Sequence, residues 1–445
     1  MKEIYDLGRK QKAWFTDSSD IESSTDPIVV LVALELPHHR RWETLESLQE
    51  LKALAQSAEF IVNKEFINKR KDYSTAYFIG KGKLEEIKEY CVSEKIRAVI
   101  FDNDLTPAQT KNIARKLDGI KVFDRTSIIL DIFAKRAVTK EGKLQIALAQ
   151  LQYMLPRLTR HWTHLVSQEG LSSGMAGVKG PGEKQLEMDR RMIRDRIHAI
   201  KKELKDVEKY RRIQRKKRKR SSCPVISVVG YTNAGKSTFF NRLTDAGVSE
   251  EDKLFATLDP ITRRFKLPNN QDIILIDTVG FINKLPHSLV DAFKATLEEV
   301  RQSDILVHIL DVSDDKYPDR DKVVHKVLKE LEADNKTIIT ALNKIDAMEN
   351  IALLTQILKE HEFSVAISAK SGEGLDDLFK MIAVETDKNR LFSKILVPMD
   401  KHGLVSKIYR NSNILYRKDS AEGVYMEVEF DKSLKKELRP YFVNK

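Results

Sequence analysis

The chain has 445 residues, carries a formal net charge of +11 and contains two cysteines, Cys91 and Cys223. That length implies about three domains. No apolar run approaches the roughly 18 residues of a membrane-spanning helix, and the amino-terminal Met1-Lys2-Glu3-Ile4-Tyr5-Asp6 lacks the apolar core of a secretory signal. The cysteines show no metal-ligand spacing, so a disulfide scaffold and a zinc-cysteine cluster are not expected, and a reducing, cytoplasmic setting is.

The first element is the apolar run Ile28-Val29-Val30-Leu31-Val32-Ala33-Leu34, read as a strand and followed by a helix over Leu45–Gln56. Glu59–Val62, Ala98–Phe101 and Ile120–Phe123 supply further strands, so residues 1–123 are expected to form an α/β subdomain. Gly80-Lys81-Gly82-Lys83 suits either a phosphate contact or a tight turn before a helix over Leu84–Val92. Asp102 and Asp104 read as caps for a helix beginning near Pro107.

Next come two stripes of aliphatic residues at coiled-coil spacing. They are Leu144, Leu148, Leu151, Leu155 and Leu158, then Ile193, Ile197, Ile200, Leu204 and Val207. They predict an antiparallel helical hairpin over 124–221, with Pro156 ending or kinking the first helix. The connector Arg160–Gly182 includes Gly170, Gly174, Gly177, Gly180 and Gly182, with His161, Trp162, His164 and Lys179 as its modest aromatic and basic content. From Glu183 to Arg220, 17 Lys plus Arg stand against 7 Asp plus Glu, a net +10 that is nearly the whole excess of the chain. Arg211, Arg212, Arg215, Lys216, Lys217 and Arg218 form a run without neighbouring acids. Such a stripe suits a polyanion, and RNA better than a membrane, because no apolar face accompanies it.

A phosphate-binding loop opens the third region, 222–388. Val225–Val229 reads as a strand, Gly230-Tyr231-Thr232-Asn233-Ala234-Gly235-Lys236-Ser237 matches G-x-x-x-x-G-K-[ST], and Thr238 continues into a helix. Backbone N–H groups of such a loop wrap phosphates, Lys236 reaches the β- and γ-phosphates, and the Ser237 hydroxyl suits Mg²⁺. Ile273–Ile276 ends in Asp277-Thr278-Val279-Gly280; the carboxylate can hold Mg²⁺ through water and Gly280 can bring its N–H to the γ-phosphate.

Further runs at 305–310, 337–342 and 363–367 complete an open, mostly parallel α/β sheet. The fourth run, at 337–342, ends in Asn343-Lys344-Ile345-Asp346, about 110 residues past the phosphate loop. The Asp346 carboxylate only accepts hydrogen bonds, so it suits the N1–H and amine of guanine and not adenine. Ser368-Ala369-Lys370 follows. These motifs predict a GTP-binding domain and, with it, hydrolysis of GTP.

Between loop and Asp277, Thr257 and Thr262 compete as the second Mg²⁺-binding hydroxyl. Thr257 is preferred, because Pro260–Phe265 reads as the start of a strand. Phe281 follows Gly280 where many GTPases have a water-orienting glutamine, and its ring cannot bond water. Asn233 either shapes the loop or helps hold a monovalent cation such as K⁺. Lys236, Gly280, Asn233 and Phe281 are therefore the candidates for catalysis, with slow intrinsic hydrolysis completed by a partner. Residues 389–445 read as a small α/β module, strand-like at Leu396-Val397, Ile414–Tyr416 and Val424–Val428.

Phe255-Ala256-Thr257-Leu258-Asp259-Pro260, Asp277–Ile282, Leu285–Val290 and Ala292–Leu297 closely resemble the HflX family of ribosome-associated GTPases. Gly180-Pro181-Gly182-Glu183-Lys184-Gln185-Leu186-Glu187 with Asp189-Arg190-Arg191 is similar to that family's linker signature, although Met188 stands where a smaller polar residue is expected. The resemblance covers roughly 27–385. It implies a GTPase, monomeric when free, that binds the ribosome, its large subunit and its RNA, with the hairpin tip near the peptidyl-transferase region. Splitting under stress, rescue of stalled ribosomes and assembly are the roles it implies. A different class stays open: a signalling switch with a protein partner, the basic hairpin being a scaffold.

Overall fold

The computed structural model describes residues 27–37, 41–158, 182–220, 223–244, 254–255, 260–284, 297–348, 351–387, 390–420, 422–431 and 434–443. The described residues divide into two compact units. One lies within Met1–Val207 and includes parts of Asp252–Asp259 and Asn283–Lys294; the other comprises the remainder.

Unit one is built on a four-stranded parallel sheet, β1 (Ile28–Glu35), β2 (Ile61–Lys69), β3 (Ala98–Phe101) and β4 (Lys121–Asp124), in the order β2-β1-β3-β4. Central β1 is buried almost throughout, as a near-continuous apolar run in a parallel sheet should be. Strand β2 starts later and runs further than its apolar opening suggests. It is an edge strand whose face is largely solvated, with Phe66 its one buried side chain, so little of it looks apolar.

Helices α1 (Arg41–Ser57), α2 (Lys81–Ser93) and α3 (Pro107–Leu117) alternate with these strands. The cap of α3 is Thr106, in a reciprocal box with Gln109 and with Pro107 at the first helical position, and not Asp102 or Asp104. Asp102 is instead a buried acceptor. The Arg125 guanidinium (2.8 Å), the Ser47 hydroxyl (2.6 Å) and the Lys284 ammonium (2.6 Å) all donate to it. Burial works against its ionisation, yet Arg125 and Lys284 hold the carboxyl below the usual range. Asp104 accepts from the Thr126 hydroxyl. In the same unit Phe255 packs edge-on against Phe133 at 4.6 Å, and its carbonyl accepts from Arg136.

Helix α4 (Arg125–Arg136) is capped by Asp124, α5 (Lys140–Met154) by Thr139, and α5 ends in a 3₁₀ turn at Leu155–Arg157 around Pro156. Helix α6 (Gly182–Arg220) is 39 residues long. The two aliphatic stripes meet: Leu151, Leu158, Ile193 and Ile200 are buried, with Leu144, Leu148, Leu155, Ile197 and Leu204 packed around them. Residues 160–181 of the glycine-rich connector, with Trp162 and the two histidines, lie outside the described residues.

Unit two holds a six-stranded sheet of β5 (Val225–Gly230), β6 (Ile261–Lys266), β7 (Asp272–Asp277), β8 (Ile305–Asp311), β9 (Thr337–Asn343) and β10 (Ser364–Ala366). The order is β10-β9-β8-β5-β7-β6, with only β6 antiparallel. Helices α7 (Lys236–Thr244), α8 (Tyr317–Glu330), α9 (Ile351–Glu360) and α10 (Leu375–Asp387) accompany it. A separate antiparallel sheet joins β11 (Arg390–Val397), β13 (Gly423–Asp431) and β12 (Ser412–Ser420), with α11 (His402–Asn411) packed near it. Its strands run longer than their apolar cores because much of β12 is exposed.

Candidate functional site: a phosphate loop joined to a base-reading loop

Strand β5 delivers Gly230 to the carboxyl edge of the sheet. Its φ is +154°, and a Cβ there would lie 2.4 Å from the Ile309 carbonyl of the neighbouring strand, so only glycine fits. The loop then turns through Asn233, exposed and left-handed at φ +59°, a conformation asparagine tolerates better than most residues. Gly235 is also left-handed, at φ +94°, and a Cβ would meet Asn343 Nδ2 at 2.3 Å.

Two backbone bonds lace this loop to the one after β7. Thr232 N–H donates to Phe281 O (2.8 Å) and Phe281 N–H to Gly230 O (3.0 Å). The Phe281 ring itself is buried, 2% exposed. Lys236 Nζ donates to the Gly230 and Tyr231 carbonyls at 3.1 and 2.6 Å. Burial lowers its pKa to about 8, against the opposing pull of Asp277. Asp277, fully buried, closes β7, and the Thr278 hydroxyl is tied to Val228 O at 2.6 Å. A Cβ on Gly280 would lie 2.9 Å from both Lys236 Nζ and Thr232 Cγ2, so glycine here permits the lysine's position. Val279 is buried beside it, while Ser237 and Thr238 are half-buried at the start of α7.

At the end of β9, Asn343 Nδ2 donates to Ala234 O (2.8 Å) and its Oδ1 accepts from Ala369 N–H (2.9 Å). Lys344 is left-handed at φ +67° and pairs with Asp311 at 2.7 Å. Ile345 and Asp346 open a 3₁₀ turn; Asp346 is exposed, and one of its oxygens accepts from the Ser368 hydroxyl at 2.6 Å. Lys370 is exposed, but its carbonyl accepts from Arg242 at 2.9 Å. The structure therefore brings together the phosphate loop, the Asp277–Gly280 loop, the Asn343–Asp346 turn and Ser368–Lys370.

Thr262 lies within β6, paired with Ile276, as the strand reading of Pro260–Phe265 requires. Ala256, Thr257, Leu258 and Asp259 lie outside the described residues, and Phe255 is the described member of that segment. Arg211 has an acid after all, Glu299 at 3.8 Å. Arg212, Arg215, Lys216, Lys217 and Arg218 continue α6, and their side chains lie outside the described residues. Two supporting residues carry no motif signal. Arg242 of α7 clasps the Lys370–Ser371 carbonyls, and Arg320 of α8 stacks over Tyr231 at 5.6 Å.

Four family models match in succession: GTP-binding GTPase N-terminal over 45–134, GTP-binding GTPase Middle Region over 136–218, 50S ribosome-binding GTPase over 225–344 and HflX C-terminal domain over 353–441. The chain is 43% identical over 398 residues to GTPase HflX of Lacrimispora saccharolytica, covering 89% of this chain and 92% of that relative. The chain belongs to the HflX family of GTPases. It is likewise 45% identical over 339 residues to GTPase HflX of Escherichia coli, covering 76% and 78% of the two chains. A crystal structure of a GTP-binding protein from Sulfolobus solfataricus with GDP aligns over 81% of this chain and 99% of that one. It is 26% identical, with a TM-score of 0.44. As an HflX-family member the chain is a GTP-hydrolysing enzyme, and among the described residues no helix is long and apolar enough to cross a membrane.

Proposed function

We propose that this HflX-family GTPase is a cytoplasmic, RNA-binding factor that associates with the large ribosomal subunit and uses GTP to split, rescue or help assemble ribosomes. The observation that carries the reading is the joining of a guanine-nucleotide site to a 39-residue helix, α6, that holds nearly all the chain's excess positive charge. A polyanion is the partner such a helix suits. The family model that matches residues 225–344 bears the description 50S ribosome-binding GTPase, which supports the large subunit.

Each part of the site has a chemical task under this reading. The Gly230–Ser237 amides and Lys236 bind the phosphates, and the Asp346 carboxylate reads guanine while Ser368 fixes its orientation. Ser237 at the head of α7 and buried Asp277 beside Lys236 form an oxygen donor set that fits Mg²⁺, with Thr257 as the expected third contributor. When bound, Mg²⁺ neutralises charge on the β- and γ-phosphates. Gly280 offers its N–H toward the γ-phosphate, and Phe281, buried and unable to bond water, leaves hydrolysis to be completed by the ribosome or by a K⁺ near Asn233.

Co-sedimentation with ribosomes in GTP, GDP and a non-hydrolysable analogue, resolved by subunit, tests the reading. Binding to the large subunit that is strongest with the analogue is expected. Equal sedimentation without ribosomes, or no nucleotide dependence, would favour a GTP switch with a protein partner.

A further inference from the structure

Behind the phosphate loop, unit two holds a cluster that nucleotide chemistry does not use. His308 sits in central strand β8, opposite Val229 of β5 and Thr340 of β9, and its side chain is fully buried. Asp321 and His325 stand one turn apart on α8. His308 Nδ1 lies 3.5 Å and His325 Nε2 3.4 Å from the same oxygen, Asp321 Oδ1. One donor atom from each of the three residues lies within 4.8 Å of the others, and the two rings meet edge to face with centroids 5.7 Å apart.

Neither ring nitrogen of His308, nor Asp321 Oδ1, has a hydrogen-bond partner among the described residues, although these atoms are buried. Buried polar atoms are normally satisfied, so an unsatisfied group of this kind needs an explanation. The separations are long for hydrogen bonds, which cluster at roughly 2.7–3.2 Å. They match the edge of a coordination tetrahedron, which for metal–nitrogen and metal–oxygen bonds of about 2.0–2.1 Å is roughly 3.3–3.4 Å.

We propose that His308, Asp321 and His325 form a binding site for a zinc-class divalent cation, separate from the nucleotide's magnesium. Two imidazoles and one carboxylate suit zinc, cobalt or nickel, whereas magnesium and calcium prefer oxygen alone. A fourth position faces outward, because the His325 side chain is 45% exposed and Asp321 18%, which gives an ion a path from solvent. The bound ion ties α8 to β8. The same helix carries Arg320, which stacks on Tyr231 of the phosphate loop, so a filled site also steadies that loop.

The test uses the full chain saturated with GDP and Mg²⁺, so that the nucleotide site is filled, in a Cys223→Ser background that removes the half-buried thiol. Zinc is titrated against a chromophoric chelator and cobalt is followed by its visible absorption. Expected are one ion per chain, intense tetrahedral cobalt bands, and a rise in the melting temperature with zinc. His325→Ala and Asp321→Asn should each weaken zinc binding by at least about tenfold and abolish the thermal shift. The His325 side chain is 45% exposed, so its replacement disturbs the core far less than replacement of His308 would. His308→Ala removes a core side chain, so the outcome does not depend on it. Unchanged zinc stoichiometry and affinity in both the His325 and the Asp321 variants, or cobalt spectra without tetrahedral bands, overturn the proposal.

Discussion

Asn343 donates from Nδ2 to the Ala234 carbonyl at 2.8 Å, so the residue that opens the base-reading turn also holds the middle of the phosphate loop. Its Oδ1 simultaneously accepts from Ala369 N–H, so one side chain pins three loops contributed by three segments of the chain. A Cβ at Gly235 would lie 2.3 Å from the same amide nitrogen, which explains why the loop carries glycine at that point.

Asn343→Ala should therefore act on nucleotide binding without touching nucleotide chemistry. It leaves a buried carbonyl and a buried N–H unmatched, each costing about 1–3 kcal/mol. Nucleotide affinity should fall about tenfold or more, and the melting temperature should drop. Fluorescent-GDP titration beside calorimetry measures both. An affinity within twofold of the parent, about 0.4 kcal/mol, would mean the loop keeps its shape without the clasp.

Phe281 poses the opposite case. Its backbone bridges to Gly230 and Thr232, which any residue could supply, while its ring is buried. Phe281→Gln places an amide where the ring was, so it should destabilise the protein by about 1–3 kcal/mol. It should not accelerate intrinsic hydrolysis, because the new side chain replaces one that points into the core. A large gain in single-turnover rate would show that a glutamine from this position reaches the attacking water.

The motifs were legible because each is local: glycines for tight phosphate approach, a carboxylate for guanine, and aliphatic stripes at helical spacing that pack against each other. What escaped the sequence joins distant segments. Arg242 reaches the Lys370 carbonyl across 128 positions, and Asp102, which looks like a helix cap, serves Arg125 and Lys284 once the chain is folded. His308 reads as one more residue of an apolar strand, and only packing of α8 brings Asp321 to it. Edge strands β2 and β12 extend past their apolar stretches because solvated faces blur the apolar alternation.

Lys236 makes nucleotide binding sensitive to pH. Its pKa in the folded chain is lowered from 10.5 to about 8 by burial. Below about pH 8 the folded and unfolded chains both carry the proton, so the penalty of burying the charge is fully present. Between about pH 8 and 10.5 the folded chain sheds it first, and stability without nucleotide should rise with pH through this lysine. Phosphates require the ammonium form, so GDP affinity should fall over the same range and binding should take up protons. Calorimetric titration in buffers of different ionisation enthalpy, just above pH 8, measures that uptake. Zero uptake together with pH-independent affinity would contradict the assignment.

The basic run of α6 supplies the last test, and the structure refines how it must be built. Arg211 is partly neutralised by Glu299 at 3.8 Å, so replacing it would mix a local ion pair with any RNA effect. Arg215, Lys216, Lys217 and Arg218 come later in the helix, which ends at Arg220, with only four residues between it and the start of β5 at Val225. Converting these four to glutamine keeps helix propensity while removing four charges. If they meet ribosomal phosphates, association should weaken and the slope of log affinity against log salt should flatten, by somewhat less than one for each phosphate no longer neutralised. GDP affinity should stay within about twofold, a change of only about 0.4 kcal/mol, because the nucleotide site is assembled from β5, β7, β9, β10 and the loops that follow them. The short link to β5 also predicts linkage. A ribosome that binds the GTP form more tightly must raise the affinity for GTP by the same factor, and the quadruple variant should lose that factor in step with its binding. Normal ribosome binding with lost nucleotide affinity would assign the run to the folding of the GTPase unit and remove it from the RNA interface.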